Sequence, residues 1–340
     1  MLMEALELSA PGLENLAVVE RPRPEPGHGE VLVRMLAASL NYRDLRMMQA
    51  GSGGRGGGLP ITPLSDGCGV IEAVGPGVTR VAVGDRVASL FFQGWLDGPP
   101  TAPKLQTALG QPIPGVGRQY ALLSEQGVSK VPDWLSDEAV ACLPCAALTA
   151  WRAMIEDADL KPGSTVLLLG TGGVSVFALQ FAKAAGYEII ITSSSDEKLE
   201  RCRGMGAHHT LNYRATPEWG REARRITGRV GVDLVLEVGG PGTIQQSMIA
   251  VRVGGDIAMI GMVGGEGAGL QTTGLIGNGA RVRGVNVGSR AMFEDMCKAM
   301  DLHRIEPVID RVFPWRQARE AFDLMESGGH FGKIVLDFTA

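Results

Sequence analysis

Thr165-Val166-Leu167-Leu168-Leu169-Gly170-Thr171-Gly172-Gly173-Val174-Ser175 is the stretch that decides the fold. Its apolar residues, short and bounded by glycine, predict a strand buried on both faces. Val174, Phe177, Ala178 and Phe181 recur at helical spacing, which predicts a helix over Val174–Ala185. Glu188-Ile189-Ile190-Ile191-Thr192 then predicts a second strand. Strand, glycine turn, helix and strand within about 30 residues form the unit that places a pyrophosphate on a helix N-terminus. Gly170, Gly172 and Gly173 let the backbone approach the phosphates, and Val174 opens the helix. Ser175 takes the place of the third glycine.

The pattern continues outward. Asp196–Gly204 predicts a helix, and Asp233–Glu237 and Asp256–Ile260 predict further apolar strands. Arg281–Val287 alternates in polarity, as a half-exposed edge strand does. Together these give an α/β fold with a doubly wound parallel sheet. Pro132–Met154 predicts helix, with Ser136 and Asp137 as start signals and a break at Pro144. Residues 1–127 differ in texture: short alternating runs such as Glu30–Met35 sit between Pro and Gly clusters. In the tail, a helix is expected around Trp315–Glu326 and a strand at Lys333–Asp337.

The end of the second strand discriminates between cofactors. A carboxylate there holds the ribose 2′-hydroxyl of NAD. Here the strand runs into Thr192-Ser193-Ser194-Ser195, and Asp196 reads as a helix start. Hydroxyls donate to a 2′-phosphate that a carboxylate repels. Ser194 with Lys198 and Tyr213-Arg214 therefore predicts a phosphate clamp and NADPH.

Bulk properties set limits. A chain of 340 residues exceeds one ordinary core, so two domains are expected. Its net charge of -5 gives no support for nucleic-acid binding. No apolar run approaches the roughly 20 residues of a membrane helix, and Met1–Ala5 shows no signal-peptide pattern. Five cysteines, an odd and sparse set, fit a reducing cytoplasm. Cys142 and Cys145 form a C-x-x-C, read as two buried small hydrophobes because the surrounding sequence is apolar. Gly51–Gly58 lacks the Gly-Lys-Ser/Thr of a phosphate loop and is expected as a surface loop. Phe91–Gly117, rich in Gly and Pro, is expected as a cover over a cleft.

Several further segments carry a family resemblance: Ala38–Asp44, Pro63–Gly75, Gly84-Asp85-Arg86-Val87, Leu143–Trp151, the Gly170 turn and His330–Val335. In this order, over nearly the whole length, the chain resembles the medium-chain dehydrogenase/reductase superfamily in its zinc-free quinone oxidoreductase, or zeta-crystallin-like, branch. The resemblance implies a GroES-like β-rich catalytic domain from residues 1–127 and 289–340, a Rossmann domain at 128–288, and an active site between them. It also implies a homodimer joined through the edge strand 281–287.

Roles follow from the resemblance. Asn41 and Thr149 would lie near the nicotinamide. Gly172, Gly173 and Val174 would hold the pyrophosphate, and Ser194, Lys198 and Tyr213 the ribose phosphate. Gly261, Met262, Val263, Val287 and Ser289 would line the nicotinamide ribose and ring, with Phe331, Gly332 and Lys333 closing over the cofactor. The catalytic zinc ligand positions fall on Asn41, Ser65 and Cys145, and residues 90–118, where a structural zinc lobe would lie, contain no cysteine. Only one good zinc donor survives, so no metal is expected. The implied function is an NADPH-dependent reduction of a quinone or α,β-unsaturated carbonyl. Asn41 would orient the ring or substrate, Tyr42 would donate the proton, and Asp44 is a second acid–base candidate. Two alternatives remain: an NADPH-binding protein with little turnover, used as a sensor or structural protein, and an alcohol or aldehyde oxidoreductase.

Overall fold

The computed structural model describes residues 1–50, 58–265, 267, 269–270 and 272–340. Of the glycine run Gly51–Gly58, all but Gly58 lies outside the described residues. The chain divides into two compact units, Thr149–Asn286 and a second made of Met1–Leu148 with Val287–Ala340.

Thr149–Asn286 carries a six-stranded sheet, every pair parallel. Its strands are β1 (Thr165–Leu168), β2 (Glu188–Ser193), β3 (His209–Asn212), β4 (Val232–Glu237), β5 (Val251–Met259) and β6 (Arg281–Gly284), in the order β3-β2-β1-β4-β5-β6. The order reverses beside β1, which makes the end of β1 the switch point where such sheets take ligands. Val166, Leu167 and Leu168 are wholly buried, as are Leu234, Val235 and Leu236. Strands so apolar require cover on both faces. Helix α1 (Gly173–Ala184) links β1 to β2, and α2 (Asp196–Met205) links β2 to β3. Gly206, at φ 114°, ends α2 in the left-handed region that glycine tolerates. Among the described residues β6 pairs with β5 alone and is one edge of the sheet. It stops at Gly284, short of the expected Val287, because its partner β5 ends at Met259, opposite Gly284, and the last bond between them runs from Val285 N to Met259 O.

The other unit is built on a seven-stranded sheet. The tail strand Lys333–Asp337 pairs antiparallel with Glu30–Ser39, with Val335 opposite Ser39 and Leu336 opposite Ala38. Glu30–Ser39 pairs in turn with Asp66–Val74 and with Tyr120–Ser124. The tail thus shares one sheet with Glu30–Ser39, and both ends of the chain share one core, which includes Leu6, Val31, Leu45, Trp315, Phe322 and Ile334.

The expected domain division needs correction. The domain boundary falls at 148/149, not 127/128, and at 286/287, not 288/289. Val128–Lys130 pairs with Arg86–Ser89, and helix Asp137–Ala141, capped by Ser136, packs on strands Glu30–Ser39 and Asp66–Val74. Those contacts hold residues 128–148 to the β-rich unit. In Phe91–Gly117, Phe91, Phe92 and Trp95 are buried, and the Phe91 and Phe92 rings meet edge to face at 4.7 Å. Among the described residues no helix is long and apolar enough to cross a membrane.

Candidate active site

In Thr149–Asn286 the turn after β1 holds glycines of two kinds. Gly170 has φ 74°, a conformation that needs glycine. Gly172 does not: its φ is -81°, and a Cβ built there would meet no atom within 4 Å. Neither backbone nor protein packing demands glycine at Gly172, so its bare Cα keeps room beside the first N–H groups of α1. Those groups carry no side-chain cap and, at the positive end of the helix dipole, suit an anion. Gly173 and Val174 are the first residues of α1. Ser175 explains its own departure from glycine: its buried hydroxyl donates to Leu169 O at 2.6 Å, tying helix to strand.

Ser194 and Tyr213 lie at neighbouring strand ends. Ser193 and Asn212 are partners at the ends of β2 and β3, so Ser194 and Tyr213 leave the sheet side by side. Tyr213 N donates to Ser193 O, and Tyr213 is exposed. Ser195 caps α2 by accepting from Lys198 N, which sets Lys198 in the first turn. Asp196 is committed to Asn212 Nδ2 at 2.8 Å. No carboxylate ends β2.

The loops after β4 and β5 form a second edge of this unit, organised by Glu237, a residue the sequence reading did not single out. Its wholly buried carboxylate accepts from Gly239 N (2.7 Å), Gly240 N (2.9 Å), Thr243 Oγ1 (2.5 Å) and Ser247 Oγ. Four donors satisfy the buried charge and hold the turn. Gly264 N and Val263 N then bond to Gly239 O and Val238 O. Gly261 lies so close to Val238 O that a Cβ would sit 2.6 Å away. Met262 and Val263 project outward from this scaffold, exposed. The signal in sequence was a lone Glu before Val238-Gly239-Gly240, indistinguishable from a strand-end surface charge.

In the β-rich unit the residues around Asn41 form a buried polar centre. Lys333 Nζ donates to Asn41 Oδ1 at 2.7 Å and to Leu40 O at 2.6 Å. Asp66 Oδ1 accepts from Ser65 Oγ at 2.6 Å, and Oδ2 from Cys145 N at 2.9 Å. Asp44 Oδ2 accepts from Asn41 N at 3.0 Å, and Arg43 lies beside its other oxygen. Burial raises the Asp66 pKa, opposed by the Lys333 charge and the Ser65 hydrogen bond. Asn41 also favours the Asp66 anion, although its Nδ2 meets no acceptor in hydrogen-bonding geometry. Asp44 is pushed up to about 6, by burial first, with Asp66 adding to the rise and Arg43 opposing it. Burial pushes the Cys142 thiol up to about 12. It raises Cys145 as well, with Asp66 adding to the effect. Both are unreactive thiols, and Cys142 Sγ donates to Glu138 O.

The remaining candidates divide. Tyr42 opens helix Tyr42–Ala50 and leans on the core. Thr149 is buried at the first position of its unit. Val287 and Ser289 are buried, and the Ser289 hydroxyl caps helix Arg290–His303 by accepting from Met292 N. Phe331 is buried, its N–H held by Asp310. Gly332 is glycine for the fold's sake: its φ is 82°, and a Cβ would lie 2.3 Å from Val308 O. Lys333, expected to close over a cofactor, instead turns its ammonium inward to Asn41 and Leu40. A buried ammonium must be paired, and these oxygens pair it.

Comparison with known proteins agrees with this layout. A zinc-binding dehydrogenase family model matches residues 173–302, and an alcohol dehydrogenase GroES-like domain model matches residues 27–133. A zinc-type alcohol dehydrogenase-like protein of Schizosaccharomyces pombe is 46% identical over 314 residues, covering 91% of this chain and 90% of the relative. A 2-haloacrylate reductase of Burkholderia sp is 30% identical over 359 residues, covering 99% of each. A crystal structure from Sinorhizobium meliloti 1021, classed among alcohol dehydrogenases, superposes with a TM-score of 0.90 at 40% identity, over 99% of this chain and 98% of that one. The chain belongs to the medium-chain dehydrogenase/reductase superfamily and is an oxidoreductase of that family.

Proposed function

We propose that this chain is an NADPH-dependent, zinc-independent reductase that transfers a hydride to a quinone or an α,β-unsaturated carbonyl compound. The observation that carries this reading is the Asn41 centre. The family's zinc would need Asn41, Ser65 and Cys145 as donors. Asn41 Oδ1 is already bonded to an ammonium at 2.7 Å, the Ser65 hydroxyl donates to Asp66, and the Cys145 thiol is held protonated by burial. A cation beside the ligand positions and one weak thiol do not fit a tetrahedral metal site. Among the described residues no three His, Cys, Asp or Glu side chains converge as a metal's donor set.

Bound NADPH supplies the hydride from its nicotinamide ring. Gly170, Gly172, Gly173 and Val174 would hold the pyrophosphate; Ser194, Lys198 and Tyr213 would hold the 2′-phosphate. The exposed Met262 and Val263 and the Gly261 backbone would meet the nicotinamide ribose and ring, with Thr149, Val287, Ser289 and Phe331 completing its surroundings. Asn41 Nδ2 would donate to the acceptor's carbonyl oxygen, which gains negative charge as the hydride arrives. Tyr42 would return a proton to the enolate or hydroquinone. The 30% identity to a 2-haloacrylate reductase supports an activated double bond as acceptor. The five unpaired cysteines support a cytoplasmic setting, and the open edge strand β6 supports a homodimer.

An alcohol dehydrogenase is the second reading, favoured by the name of the 46%-identical relative. NADPH absorbance, followed with a panel of quinones, enones, aldehydes and alcohols on metal-analysed protein, separates the two. Turnover of quinones or enones without bound zinc is expected. Zinc at one per chain with alcohol oxidation would support the second reading; tight NADPH binding without turnover would point to a non-catalytic role.

A further inference from the structure

We infer that Lys333 is a positioning residue that fixes the flip of the Asn41 amide, so that Asn41 presents an N–H donor, not a carbonyl, to the reacting oxygen. This rests on the reductase reading above. The two ends of a primary amide are nearly equal in shape, so its partners decide which end points where. An ammonium has three donors and no acceptor. Placed 2.7 Å from the Asn41 side chain, it can donate only to the oxygen end. The flipped amide would set N–H against N–H in a buried site, where each unmade bond is costly. Lys333 has little freedom to yield: it is 3% exposed and also bonded to Leu40 O.

The Asn41 main chain is fixed as well. Its N–H donates to Asp44 Oδ2, and its carbonyl accepts from Asp44 N at 2.9 Å. What remains is Nδ2, buried on a residue 8% exposed: it favours the Asp66 anion but meets no acceptor in hydrogen-bonding geometry among the described residues. A buried donor left unpaired is a cost that a folded protein keeps where a ligand repays it. The ammonium also draws electron density through the amide and strengthens the Nδ2–H groups as donors. The tail pairing of Lys333–Asp337 on Glu30–Ser39 brings these residues together. The C-terminal strand thus sets the polarity of a residue almost 300 positions earlier.

A double-mutant cycle tests this. Asn41→Ala and Lys333→Met are each expected to lower the hydride-transfer rate about 100-fold, the scale of one lost oxyanion donor. NADPH affinity should stay within about threefold, and the double variant should be no slower than Asn41→Ala alone. Lys333→Arg, which keeps the donors and the charge, should restore most of the rate. Losses that multiply in the double variant would overturn the inference, as would Lys333→Met acting only on NADPH affinity. If Lys333→Met unfolds because Asp66 loses its counter-charge, Lys333→Met with Asp66→Asn balances the charge and should show the same loss; a normal rate there also overturns it. A wild type inactive on every acceptor would refute the reductase reading instead. The Asn41 side-chain amide resonance, assigned by its loss in Asn41→Ala, still tests Lys333: it should shift in Lys333→Met, and an unmoved resonance refutes the inference.

Discussion

Asp44→Asn isolates one buried charge and its pH dependence. The Asp44 carboxyl is raised from 3.8 to about 6, mainly by burial. The folded state therefore holds a proton that the unfolded chain has already released. Stability from this group is fully present below the unfolded value and is lost as pH rises through about 6. A rise of about 2.2 units, at about 1.36 kcal/mol each, amounts to about 3 kcal/mol across the whole window. About 1.4 kcal/mol of this falls between pH 5 and 7.5, where the protein is convenient to handle. Asparagine accepts the Asn41 N–H through its own oxygen but takes up no proton. Urea unfolding at several pH values should show wild type losing stability relative to the variant by that amount from pH 5 to 7.5. In ¹³C NMR, one side-chain carboxyl with a midpoint near 6 should vanish in the variant. Parallel stability curves for the two proteins, or no carboxyl titrating above pH 5, would refute the burial argument.

Three further substitutions separate ligand demands from fold demands. Gly172→Ala adds a Cβ that meets no protein atom. It should cost at most about 1 kcal/mol through the lost N-cap preference, yet weaken NADPH binding tenfold or more by titration fluorimetry. Gly332→Ala should do the opposite, because φ 82° and the Val308 carbonyl leave no place for a methyl. A loss of about 2 kcal/mol or more is expected in thermal melts. Ser194→Asp puts a carboxylate beside Tyr213 and Lys198 and should shift the kcat/KM ratio toward NADH by tenfold or more; unchanged preference would remove Ser194 from the clamp.

The dinucleotide unit was legible because its signals are local. A buried parallel strand must be apolar, a pyrophosphate turn must be small, and a missing carboxylate at Ser193–Ser195 is visible by inspection. The same local signals misplaced the domain boundary, since residues 128–148 look like any helical approach to a Rossmann sheet. The pairing of Val128–Lys130 with Arg86–Ser89 and the packing of helix Asp137–Ala141 on Glu30–Ser39 and Asp66–Val74 assign them elsewhere. At the tail, Gly332 reads in sequence as part of a cofactor cover; only the packed chain adds the demand of the fold, a Val308 O that leaves no room for a Cβ.

The Asn41 centre shows the division most clearly. From sequence alone, Asn41, Ser65 and Cys145 could be compared with ligand positions, because residue type determines donor chemistry. Sequence could not say which end of the Asn41 amide is free, that Asp44 is raised, or that Glu237 holds a turn. Each depends on which groups lie within about 3 Å and on how much water is excluded, and these are properties of the packed chain. Residue identity determined the chemistry available; the pairing of Lys333–Asp337 on Glu30–Ser39 decided how that chemistry is aimed.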